Sequence, residues 1–262
     1  MENVVYSTEN LYERAIRHES DEVMRLLKEC VEHALQSFEE IGELIFTVPE
    51  LNVDVVRMFK GIGQRLGVSK EHISVQDYRE SFCSYMLYQP KELWQYEAAL
   101  FHCDRHEVKA YMLRKIRTGY GNGRDAFVTV DEVAKAQMEE LAAVYPVLNV
   151  DRAREADARF KQFIQGVFEK KLVSSVFLVG EGFEHNWYPH SLKVLCNGRR
   201  TFRGNNLYSK GACYAAYRRA LNYEGAPIYY DDTRMMDQVC LKMRMHGKDK
   251  WYPLVPWGIR WY

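Results

Sequence analysis

Long apolar runs are missing from this chain. No stretch approaches the roughly 20 apolar residues that a bilayer span needs, so the sequence predicts no membrane segment. Residues 1–9 are polar and acidic, with no basic start followed by an apolar core, which argues against a secretory signal. Paired cysteines are missing too. The six cysteines, Cys30, Cys83, Cys103, Cys196, Cys213 and Cys240, form no CxxC pair, and most sit inside apolar runs. That pattern predicts reduced core thiols in a cytoplasmic protein and argues against structural zinc. There is no G-x-S-x-G elbow, no H-E-x-x-H and no G-x-x-x-x-G-K-[ST] loop, so serine-hydrolase, metalloprotease and P-loop chemistry have no support.

Net charge is also absent, with 36 Lys and Arg against 36 Asp and Glu, but the signs are unevenly placed. Residues 1–50 hold twelve acids against four Lys and Arg, whereas residues 185–222 hold no acid and seven Lys and Arg. Such a molecule can orient against a partner, bind an anion, or pair its own two ends. What is present is ordinary for a globular chain: 262 residues, 47 % of them hydrophobic, enough for one large domain or two small ones.

Val23, Leu26, Leu27, Cys30, Val31, Ala34 and Leu35 share one helical face, and residues 44–48 (LIFTV), closed by Pro49, read as a buried strand. Val55, Phe59, Ile62 and Leu66 mark a second helix ended by Gly67, then a short strand at 73–75 and a helix over 78–88. Residues 98–103 and 108–116 read as two strands joined by a turn at Asp104, Arg105 and His106. Gly119, Gly121 and Gly123 mark a loop, and helices are expected over 130–144 and 151–170. Val176-Phe177-Leu178-Val179 is the clearest strand. It runs into Gly180-Glu181-Gly182-Phe183, a helix over 188–195, a strand over 200–203 and a helix over 207–221. From residue 228 onward apolar and polar residues alternate as in a β-hairpin. Strands alternating with helices predict an α/β sheet.

The order of these pieces resembles the second half of the actin-like ATPase superfamily, especially the nucleotide-binding domain of DnaK-type heat-shock chaperones. The resemblance is carried by LIFTVPE (44–50), VFLVGEGF (176–183) and NLYSKGACYAA (206–216), and covers roughly residues 20–222. The wording from Trp187 to Ala216 also resembles a bacterial branch of the superfamily of unassigned activity. The resemblance implies an actin-like (ribonuclease-H-like) fold, mainly its second lobe, over residues 1–227, with a β-rich tail over 228–262 that begins a further segment. It implies ATP or ADP with Mg²⁺ as ligand, Asp104 holding the ion indirectly, and Gly180, Gly182 and Phe183 at the adenosine. Nothing before residue 20 resembles the superfamily's first phosphate hairpin, so the expectation is either a piece of a longer protein or a truncated relative, and the last residues, GIRWY, read as stopping within a strand.

One departure bears on chemistry. Where the chaperones carry successive glycines after the first hairpin strand, this chain has Arg105-His106-Glu107. Glycine lets backbone N–H groups approach phosphate closely, and side chains there crowd it. The expected function is therefore a nucleotide-binding-fold module with degenerate phosphate loops and weak or no ATPase activity. Plainer readings stand beside each site. Gly180 and Gly182 could serve a strand–helix turn alone, and Asp104 could be a turn residue. His102, Cys103 and His106 straddle the turn and lack a fourth ligand for a metal. Arg199, Arg200, Arg203 and Lys210 could dock a protein partner or a second copy, the alternative function, or form a solvated edge. Nucleic acid is not the expected partner, because the charge is neutral and no nucleic-acid motif is present.

Overall fold

The computed structural model describes residues 12, 15–16, 20–36, 41–104, 106–117, 126–139, 150–221, 228–234, 239–255 and 260. Its first elements are α1 (Ser20–Leu35), β1 (Leu44–Val48), α2 (Val53–Arg65), β2 (Ile73–Asp77) and α3 (Tyr78–Leu87). Then come β3 (Glu97–Cys103), β4 (Glu107–Arg117), β5 (Ala126–Gln137), α4 (Val150–Phe168) and β6 (Val173–Val179). The remainder is α5 (Pro189–Leu195), β7 (Arg200–Arg203), α6 (Leu207–Ala220), β8 (Ile228–Tyr230), β9 (Val239–Met245) and β10 (Lys248–Val255).

The apolar runs of β3 and β6 explain the layering. These strands pair in parallel, and both of their faces are covered. Ala99, Phe101, Val176 and Leu178 meet α4 and α5, while Ala98, Leu100, Phe177 and Val179 meet α3 and α6. A strand buried on both faces has no polar side, which is why it stands in the sequence without alternation. β4 and β5 extend the sheet from β3 as an antiparallel meander, and β7 lies parallel beyond β6. β8 joins β5 in parallel, giving the order β7-β6-β3-β4-β5-β8. Three antiparallel strands followed by two parallel strands reached through helices make up the actin-like, ribonuclease-H-like arrangement, and the chain has this fold. The separate parallel pair β1–β2, bridged by α2, has its own small core of Phe46, Val48, Val55, Phe59, Ile62 and Val75.

Local chemistry sets the element ends. Asn52 caps α2 through its side-chain oxygen, which accepts from the Val55 N–H at 2.9 Å. Asp77 does the same for α3, accepting from the Glu80 N–H at 2.8 Å. One expectation fails. Residues 126–137 form β5 rather than the start of a helix, pairing with β4 from Arg117↔Ala126 to Glu107↔Gln137. The helix-favouring composition of VDEVAKAQ is overridden because Val128 and Val130 bury on one face of the sheet while Val133, Ala134 and Ala136 pack on the other. Positions 140–144 of that expected helix, and the glycine loop at 119, 121 and 123, lie outside the described residues.

Two contacts tie the β1–β2 unit to the large sheet. α3 and α6 cross at Gly211, where a methyl group would lie 2.7 Å from the carbonyl carbon of Ser81 and collide with its oxygen. Ser81 is itself held, its hydroxyl donating to the Asp77 carbonyl and accepting from Gln76, each at 2.8 Å. The carboxylate of Glu80, on the same helix, receives Arg234 at 2.7 Å and also Arg260. Arg260 donates a further hydrogen bond to the Val75 carbonyl at 2.8 Å.

The start of α5 is closed by a residue from α4. Asp157 accepts from the N–H groups of His190 and Ser191, both at 2.8 Å, from the Ser191 hydroxyl at 2.6 Å, and meets the His190 ring nitrogen Nδ1 at 2.9 Å. Burial acts to raise the carboxyl's pKa, but the Ser191 and His190 hydrogen bonds outweigh it and hold the group below its ordinary value. A lowered folded-state pKa contributes stability above the unfolded value, near 4, and that contribution is lost as pH falls through the folded value. Asp157→Ala should therefore cost about 2 kcal/mol at pH 7 in urea unfolding, with a deficit that shrinks below about pH 4. Gly211→Ala should cost at least about 2 kcal/mol, because two helix backbones must separate to admit one methyl group. A Gly211→Ala unfolding midpoint equal to that of the parent would show the crossing to be loose.

Candidate functional site

Ligands of open α/β sheets favour the crevice beyond the carboxyl ends of the parallel strands. Here the ends of β3, β6 and β7 meet the starts of α3 and α6. At that meeting point the rings of Tyr78 and Tyr208 stack at 4.0 Å with an interplanar angle of 3°. His102 joins them, 5.4 Å from Tyr78, with its Nδ1 2.9 Å from the Tyr208 hydroxyl. Burial pushes the His102 ring down to about 4, so it is neutral at pH 7. These three rings come from the first residue of α3, the second of α6 and the penultimate residue of β3. Sequence reading weighed His102 only as a metal ligand and set that aside; the usable signal was an aromatic at the first turn of each helix following a strand.

Asp104 lies in the β3–β4 turn. Its Oδ1 accepts from the N–H of His106 at 2.7 Å and of Glu107 at 2.6 Å, and its own N–H donates to the Glu107 carbonyl at 3.1 Å. This is the side-chain-closed turn that Asp favours. Arg105 lies outside the described residues. Beside the turn, Gly180 ends β6 with φ +103°, and a side chain there would strike the Cys103 carbonyl. A methyl group on Gly182 would come within 2.5 Å of both the Asp104 carbonyl and the Cys103 sulfur. The structure thus sets Gly180 against Cys103 and Gly182 against Cys103 and Asp104, and close backbone approach is the local reason for both glycines. The Gly180 N–H donates to the Asn205 side chain at 3.3 Å, and Asn205 in turn donates to Glu184 at 3.3 Å.

Phe183 points elsewhere. Its ring is buried among Phe160, Trp187 and Tyr188. The four basic residues do not act as one patch. Arg203 donates to the Phe183 carbonyl at 3.2 Å and to Asn186 at 3.4 Å, which braces the loop after β6. Arg199 donates to the carbonyls of Val194 and Asn197 and lies 4.3 Å over the Phe168 ring. Arg199 and Arg200 line a cleft of about 520 Å³ with Tyr96, Leu172 and Ser174, at the other end of β6 and β7 from Gly180. Lys210 is exposed on α6.

The crevice is rich in acids. Lys109, the partner of His102 across the ladder, is 3.2 Å from Glu107, and Glu132 and Glu50 also act on it. Burial first, then Asp104 and Glu181, raise the Cys103 thiol far above its ordinary range, which leaves it protonated and unreactive. The helix-start N–H groups of α5, a further place where phosphate could sit, are already held by Asp157. The amides of His106, Glu107 and Gly180 already have side-chain acceptors, and Glu107 and Glu181 lie beside the same turn, so these three amides are not free donors for a phosphate group. Among the described residues no group of three His, Cys, Asp or Glu side chains could hold a metal ion, and no helix is long and apolar enough to cross a membrane.

Solved structures similar to this chain share low identity. One, described as a sugar kinase from Cytophaga hutchinsonii, is 10 % identical with a TM-score of 0.39, covering 75 % of this chain and 86 % of its own. A ROK family transcriptional regulator, a homolog of the E. coli MLC protein, is 11 % identical with a TM-score of 0.42, covering 75 % and 69 %. The pCBH ParM non-polymerisable quadruple mutant is 9 % identical with a TM-score of 0.38, covering 68 % of each. At such scores the fold assignment rests on strand order and crossovers rather than on these likenesses. No curated protein matches the chain in sequence. A family model described as the C-terminal part of a family of unknown function, DUF5716, matches residues 3–232, and with that span the chain belongs to this family.

Proposed function

We propose that the chain is an actin-like nucleotide-binding-fold module whose phosphate loops are degenerate, with weak or no ATPase activity. The observation that carries this reading is the Asp104 turn. A phosphate loop works by presenting unsatisfied N–H groups, and here the carboxylate of Asp104 has taken two of them. A bound phosphate would have to displace that carboxylate and approach Glu107 and Glu181 as well. Phosphoryl transfer depends almost wholly on positioning and charge stabilisation, so such a turn removes most of what catalysis requires. Within the superfamily we place the chain nearest the DnaK-type chaperones, on LIFTVPE and KGACYAA, in a bacterial branch, and in the cytoplasm. The neutral ring stack of Tyr78, His102 and Tyr208 supports a static crevice, because it joins α3, β3 and α6 without a titratable charge at pH 7.

The test is a calorimetric titration of Mg-ATP and Mg-ADP, with phosphate release followed in parallel. The expected result is no saturable heat and hydrolysis at the background rate. Hydrolysis at a chaperone-like rate would overturn the reading. Asp104→Asn separates the two roles of that residue. Asn keeps the accepting oxygen of the turn, so stability should stay within about 0.5 kcal/mol of the parent, with nucleotide response unchanged. Loss of a measurable ATPase on Asp104→Asn, with stability intact, would assign the carboxylate to an ion instead.

A further inference from the structure

β9 and β10 form a two-stranded sheet of their own, separate from the six-stranded one. The turn is tight: His246 and Gly247 both have positive φ, 50° and 77°, the backbone of a turn that matches strand twist. Two strands alone are marginal in water, and a third strand or a covering layer is the usual remedy. Neither is present here among the described residues. Val239, Leu241, Met243 and Met245 point to one face, with Tyr252 beside Leu241, and all five are exposed. Trp251 and Leu254 are more open still, at 67 % and 60 %. Trp251, opposite Lys242, lies on the other face; exposed apolar side chains gathered on one strand face, as at Val239, Leu241, Met243 and Met245, mark an interaction site.

The two edges differ. β10 carries Pro253, which supplies no N–H, and its register shifts between Pro253 and Val255. Proline and bulges are the devices that close a strand edge to pairing. β9 reads VCLKMRM, without proline, and its register with β10 is unbroken from Cys240 to Met245. The hairpin is also basic. Lys242, Arg244, Lys248 and Lys250 face a single acid, Asp249, which pairs with Lys242 at 2.9 Å. Arg244, Lys248 and Lys250 have no acidic partner among the described residues.

We propose that the open edge of β9 docks an extended segment of a partner protein whose side chains alternate between acidic and apolar, added to the hairpin as a third strand. An added strand supplies the missing backbone partners. Its apolar side chains cover Leu241 and Met243, and its acids, on the other face, meet Lys242 and Arg244. A second copy of this chain fits the edge poorly, because β9 against β9 brings Lys242 and Arg244 of both copies together, and like charges across a ladder destabilise it. The arginines of the segment 185–222 that brace the fold are not needed for this surface.

The probe is a labelled peptide of alternating glutamate and valine, compared with one of alternating lysine and valine, each titrated with the full chain and read by fluorescence anisotropy. The glutamate peptide should bind, and the lysine peptide should bind at least about tenfold more weakly. Lys242→Glu with Arg244→Glu should reverse that order, and the exposed hairpin face makes the double variant compatible with folding. Bound peptide should slow amide exchange in β9 and leave β10 unchanged. Equal binding of both peptides, no binding of the glutamate peptide, or protection confined to β10 would overturn the proposal. Self-association of the chain alone, lost in the double variant, would put a second copy on the edge and overturn it equally.

Discussion

The contact of α6 with α3 at Gly211 is the constraint on which the rest of the molecule depends. Without a side chain at that position, the helix backbones meet at the Ser81 carbonyl. That closeness brings Tyr208, three residues before Gly211, over Tyr78, three residues before Ser81. Each of those residues begins a helix that follows a strand, so the crossing fixes where the ends of β2, β3 and β7 come together. The crevice is therefore set by a backbone contact about one helical turn away from it.

Around the crevice, groups that could meet a ligand meet one another. The carboxylate of Asp104 closes its own turn, Asn205 takes the Gly180 amide, and Glu107 neutralises Lys109. Buried or half-buried polar groups must find partners, and an internal partner costs no ordering of a ligand. The result is a crevice on the backbone path of an actin-like fold in which the Asp104 turn and the Gly180 amide are closed by neighbouring side chains. The same economy holds at Glu80, where two arginines from residues 234 and 260 converge on one carboxylate of α3. Breaking a buried pair of this kind leaves an uncompensated charge, so these arginines hold their segments to the body of the molecule.

Cations in this chain fall into two physical classes. Arg199 and Arg203 are planar donors satisfied by backbone carbonyls, and they act as struts. Arg244, Lys248 and Lys250 stand on a hairpin with exposed apolar neighbours and form no ion pair among the described residues. Sequence counts do not separate the two classes, because seven basic residues without an acid look like a docking surface whether they point outward or inward. The hairpin drew less notice in the sequence because its alternation is that of any half-buried strand, and the missing cover is visible only once the fold is assembled.

Most of the fold was legible in the residues themselves. VFLV, apolar without alternation, is a strand covered on both faces, whereas LIFTV buries Phe46 and Val48 and leaves Ile45 and Thr47 half-buried; the periodic face of α2 named its own core residues. Of the two glycines after β6, Gly180 takes a backbone path that few other residues tolerate, and Gly182 leaves room for the Cys103 and Asp104 backbone. Helical composition misled at residues 130–137, where eleven register positions along β4 outweighed a preference of tenths of a kcal/mol per residue. Apart from β5, the sequence by itself determined the order of strands and helices, since hydrophobic period and turn chemistry are local. Only the tertiary structure decided that Asp104 closes a turn, that Phe183 faces the core, and that Arg203 is a strut, because each outcome depends on which distant group arrives within about 3 Å.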